Sequence, residues 1–247
     1  MLEGGAFSSK EFNEFSKTVV PMLHITTQID GRKNDDLLGD KAERMAFPSV
    51  ILMDETGDPL TQVHVLDMSG YKKLVTTAQT YLAAKKKVDG GDATAKVEMG
   101  LAGASLGKVD MDELDELLEG ATLTDAQTAI VKQLRANAVF NDLMASARVR
   151  RGDPEFRKVA IAECKKIYAG GVHPDTGDAY QYWLILASAA KESKDMSLME
   201  LATKSLHKIL DGNRRATRIL KQVDDDLAAM KKAATKEEPA DAPAGGG

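Results

Sequence analysis

Cysteine is almost absent from this chain. Of its 247 residues only Cys164 carries a thiol, so no dithiol–disulfide cycle can run within one molecule. Long hydrophobic runs are missing too. No stretch approaches the ~18 consecutive apolar residues of a membrane span, and the first residues lack the basic-then-apolar order of a secretory signal. Concentrated positive charge is likewise scarce: the net charge is −5, and the basic runs Lys85-Lys86-Lys87 and Arg148 to Arg151 are short. Such runs fit solvated helix ends better than a surface that tracks phosphates. There is no P-loop, no Gly-x-Ser-x-Gly elbow, no His-Glu-x-x-His zinc helix and no dinucleotide fingerprint. These absences lead us to expect a soluble protein with no cofactor, no nucleic-acid partner and no membrane span, and nothing that fixes its compartment.

What the chain does have is ordinary globular material, 43% hydrophobic and 29% charged, enough for one large or two small domains. Its character changes near residue 88. Before that point, the stretch "MAFPSVILMDETGDPL", Met45 to Leu60, places Phe47-Pro48 ahead of a short apolar run closed by turn residues. Proline fixes φ and has no N–H, so it belongs at the start of a strand. Val50 to Met53 and Leu60 to Val65 read as a hairpin, and a helix is predicted from Tyr71 to about Lys87. Beyond residue 88 the periodicity is helical almost throughout. The expectation is an α/β domain over 1–88, an all-helical domain over 92–234 and a disordered tail over 235–247 with the composition "TKEEPADAPAGGG".

Within the helical part, Thr124 is a candidate cap, and Asp153-Pro154 sets a cap and an N1 proline before "EFRKVAIAECKKIYAG". The segment "DAYQYWLILASAAKESKDMSLMELATKSLHKIL" predicts two antiparallel helices joined around Ser193-Lys194-Asp195. Its length is close to a tetratricopeptide unit and Trp183 fits the early aromatic of that repeat, although Met199 and Leu206 stand where alanines are usual.

The order of elements in the first ~88 residues resembles the thioredoxin-like family, in particular thiol:disulfide oxidoreductases with helical extensions. The pieces that carry this likeness are "FSSKEF", "TVVPMLHIT", "DDLLGDKAERM", "AFPSVILMD", "LTQVHV" and "SGYKKLVTTAQTYL". The resemblance implies a partial α/β domain with strands near residues 19–26, 49–54 and 60–66. It also implies a cis Phe47-Pro48 bond, with Phe47 and Pro48 as substrate-binding residues. The family's Cys-x-x-Cys would stand before "MLEGGAFSSKEF", so no catalytic residue is assigned. Two readings follow: a redox-silent domain that binds proteins or peptides through the Pro48 surface and the helical repeat, or the downstream part of an oxidoreductase whose thiols lie upstream of Met1.

Other residues carry only local signals. Cys164 reads as a small buried helix residue. His24 and His64 lie on candidate strands. His173 shares a loop with Asp175 and Asp178, a spacing that matches no metal motif and that turn chemistry explains. Asp112, Asp115 and Glu119 lie near one helical stripe, as a solvated face does. Tyr180, Tyr182 and Trp183 open a helix whose aromatic face is expected to pack on its neighbour or, alternatively, to line a peptide groove.

Overall fold

In the computed structural model, which describes residues 6–22, 41, 49–63, 68–150, 152–213 and 216–237, the apolar run after Ser49 does form a strand. β1 (Val50–Met53) pairs antiparallel with β2 (Pro59–Val63), Val50 opposite Val63 and Leu52 opposite Thr61, with a register shift between Leu52 and Met53. Asp54 builds the turn. Its Oδ1 accepts the backbone N–H groups of Thr56 and Asp58, each at 2.9 Å, and the Thr56 hydroxyl at 2.6 Å. The Thr56 hydroxyl is the largest of the contacts that hold this carboxyl below its usual range. Gly57, at φ +84°, supplies the left-handed residue that a side chain would disfavour.

The expectation of a thioredoxin-like α/β domain is overturned. Among the described residues the sheet has only these two strands, and the architecture is otherwise helical. Val19 to Met22 form no strand; Val20 is 95% and Met22 67% exposed, whereas a strand inside a sheet would bury one face. The apolar surface is satisfied helix on helix instead. α2 (Met68–Asp89) packs on α3 (Lys96–Leu106), and α3 on α4 (Met111–Leu118). The hairpin adds Leu60 to a small core with Ala78 and Leu106, against which Leu52, Leu74, Tyr81 and Leu82 pack. Phe47, Pro48, His24 and His64 lie outside the described residues, as do the expected cis bond and, apart from Lys41, the segment "DDLLGDKAERM", which the resemblance makes a helix.

The first compact unit spans Met1–Val131. Its "FSSKEF" segment forms α1 (Lys10–Phe15), capped by Ser9, whose Oγ accepts the Phe12 N–H at 3.0 Å. Phe7 and Phe15 meet the Tyr71 ring of α2, and Lys72 pairs with Glu11 at 2.7 Å. Asp110 caps α4 through the Glu113 N–H, which leaves Asp112, Asp115 and Glu119 exposed while Leu114 is fully buried.

The second compact unit spans Lys132–Gly247. α5 (Asp125–Val149) contains the division between the units and starts at a reciprocal cap: Thr124 Oγ1 accepts the Gln127 N–H, and Gln127 Oε1 accepts the Thr124 N–H. α6 (Pro154–Ala169) carries the Asp153 cap and N1 proline as its sequence indicates. α7 (Ala179–Ser193) and α8 (Met196–Leu210) form the antiparallel hairpin. Lys194 turns the chain at φ +55°, and Asp195 caps α8 through the Leu198 N–H. Leu186, Ala190, Met199, Ala202 and Leu206 are at most 1% exposed in the core that both helices share. α9 (Thr217–Glu237) closes that core with Val223 and a flanking row of Ile219, Leu220, Leu227 and Met230, at the spacing of one helical face. Among the described residues no helix is long and apolar enough to cross a membrane.

Candidate functional site

Four of the residues singled out from the sequence, Cys164, His173, Tyr182 and Trp183, meet where α6 passes into α7. Gly170 and Gly171 end α6, and the following loop is pinned to α5 by two amides. Gln133 Nε2 donates to the His173 carbonyl at 2.8 Å; Asn137 Nδ2 donates to the Asp175 carboxylate at 2.8 Å while its Oδ1 accepts the Asp175 N–H at 3.1 Å. Pinned in this way, the His173 ring stacks on Tyr168 with centroids 5.8 Å apart and meets Trp183 edge-on at 4.8 Å. Its Nδ1 lies 3.2 Å from the Tyr182 hydroxyl oxygen. Tyr182 in turn packs edge-on against Phe140 of α5, and neither of those rings is accessible to solvent.

Burial controls the electrostatics here. It pushes the Cys164 thiol up to about 12, with the Glu163 carboxylate adding to the effect. It also raises the Tyr182 phenol above its ordinary value, with Cys164 and Tyr168 as smaller contributors, and lowers His173. A thiol so shifted and fully buried supplies no thiolate at neutral pH. The cluster is therefore a polar lock inside an aromatic core, with Cys164 a small buried helix residue and Tyr182 and Trp183 packed on the neighbouring helices, as expected. Tyr180 is half-buried against the same core. Asp175 is taken up by the α5 amides and Asp178 faces Arg148 at 3.9 Å. Among the described residues no three His, Cys, Asp or Glu side chains converge as a metal site would require.

Sequence reasoning missed Gln133, Asn137 and Phe140. The signal was present in part: Gln133 and Asn137 are four residues apart and share one face of α5, but their target is some 40 residues away. It placed the turn between α5 and α6 at Asp153-Pro154 but missed the contacts that Arg150 makes there. There the Arg150 guanidinium lies 5.3 Å above the Phe156 ring and donates to Asp153 Oδ2 through Nε at 3.0 Å and a terminal nitrogen at 2.6 Å. Ala147, Gly152, Pro154 and Arg157 complete a shallow hollow of about 410 Å³. Val149, next to Arg150 in the chain, is 87% exposed; elsewhere on α5 and α6, Val139 and Val159 are 43% and 47% exposed.

No protein-family model, curated protein or solved structure matches the chain.

Proposed function

We propose that this chain acts by binding other proteins or peptides, and that its second, helical unit supplies the recognition surface. The observation that supports this reading is the outward face at the α5–α6 turn. Scattered exposed valines need no explanation, but here Val149 projects beside Arg148 and Arg150, next to a hollow floored by Phe156 and Pro154. Arginine and apolar groups together are what protein interfaces favour at their centres. The second unit also carries more lysine and arginine than aspartate and glutamate, and the first unit the reverse. A helical unit of this kind presents such side chains on rigid elements, so little order has to be imposed when a partner docks.

Site-specific photocrosslinking tests the proposal. A photoreactive residue at Val149 or Val159 of the full chain should trap a small set of discrete partners in extract from the native source. The same residue at exposed Lys232 on α9 should not. Identical adduct patterns at all three positions, or none at Val149 and Val159, would sink the reading. Val149→Asp with an unchanged circular dichroism spectrum should reduce the trapped species at Val159.

A further inference from the structure

The loop between α6 and α7 is fastened twice, by the Gln133 and Asn137 amides and by the His173 ring. We propose that the second fastening is an acid-released latch: protonation of His173 frees the ring from its aromatic pocket, and, with the loop backbone still held by the Gln133 and Asn137 amides, the ring turns out to solvent and uncovers Trp183. The argument starts from the hydrogen bond. With hydrogen on Nε2, the neutral ring accepts the Tyr182 O–H at Nδ1, 3.2 Å away. A second proton turns that acceptor into a donor. The buried phenol must then either face another donor or accept and leave its own hydrogen without a partner.

Among the described residues no carboxylate contributes to the shift of the His173 ring. The side chains that meet the ring are Tyr168 on α6 and Tyr182 and Trp183 on α7, while the Gln133 amide on α5 holds the carbonyl of the same residue. The nearest carboxylates in the chain are already engaged, Asp175 with Asn137 and Asp178 with Arg148. Burial alone moves His173, and it moves it downward. The stacked Tyr168 ring offers a cation some attraction, but a half-buried ring without a counter-ion gains more from water.

Trp183 is the chain's single tryptophan, so acrylamide quenching of the full chain's fluorescence reads the latch directly. Between about pH 8 and about pH 5 the quenching constant should rise about twofold, with a midpoint below the ordinary histidine value and an unchanged far-ultraviolet spectrum. His173→Phe keeps the stacking and should abolish the rise. Should that variant not fold, Tyr182→Phe serves: losing the hydroxyl that favours the neutral ring should move the midpoint to higher pH. A constant that is flat across the range, a rise that persists in His173→Phe, or an unmoved midpoint in Tyr182→Phe would each overturn the proposal.

Discussion

Gly103 lies so close to Val109 that a Cβ on it would stand 2.6 Å from Val109 Cγ2 and 3.1 Å from the Tyr81 ring. The α2–α3 seam of the first unit is built on this missing side chain. Gly103→Ala should therefore lower stability by about 1–3 kcal/mol, although alanine is the better helix former by about 1 kcal/mol. Gly100→Ala meets the ends of Leu114 and Leu117 at 3.1–3.2 Å, which can give way, and should cost less. Guanidinium unfolding of the two variants, followed by circular dichroism, checks the order.

Cys164 should be inert in the native chain. It is fully buried and its thiol is pushed up to about 12, so a water-soluble aromatic disulfide reagent should label it only after denaturation. Cys164→Ser, which places a hydroxyl in the same apolar site, should cost about 1–3 kcal/mol. Labelling of the folded protein within minutes would show that the core around Tyr182 opens readily.

Asp153 makes a pH prediction with a definite sign. The Arg150 guanidinium, ahead of the backbone N–H groups of Glu155 and Phe156, holds its carboxyl below the ordinary aspartate value of 3.8. A carboxyl that binds its proton less readily when folded stabilises the fold above the unfolded pKa, and the contribution is lost as pH falls through the folded one. Asp153→Asn keeps a capping oxygen but removes the charge. The variant should be less stable than the parent at neutral pH, and the gap in unfolding midpoint should close on acidification below about pH 3.8.

Lys194 is the one described residue other than glycine with a positive φ. It occupies the left-handed position that ends α7, where glycine is the usual occupant. Lys194→Gly should raise stability by about 0.5–1 kcal/mol, and Lys194→Val should lower it. Thermal unfolding monitored on α7–α8 by hydrogen exchange would reveal either shift.

Local rules made much of the helical half legible. Thr124, Asp153-Pro154 and Ser193-Lys194-Asp195 each fix a helix end within a few residues of sequence, and each does so in the structure. The β-hairpin was legible for the same reason: Asp54, Gly57 and Pro59 define their own turn. Element order misled where it stood in for pairing. A strand needs a neighbour, and nothing local to Val19 to Met22 says whether one exists. The His173 cluster was legible only as parts, because Cys164, His173 and Tyr182 are brought together by a loop whose anchors, Gln133 and Asn137, sit in another helix.

The hairpin of α7 and α8 has a further consequence, for the time course of folding. Only Lys194 and Asp195 separate the two helices, so closing that loop carries little entropic cost and its contacts are local along the chain. Elements of this kind assemble in microseconds, far faster than a ribosome adds residues. Leu186 and Leu206 can therefore meet while Thr217 and everything beyond it are still inside the exit tunnel. The nascent chain then presents a preformed platform with an open apolar side, onto which α9 docks once it has emerged.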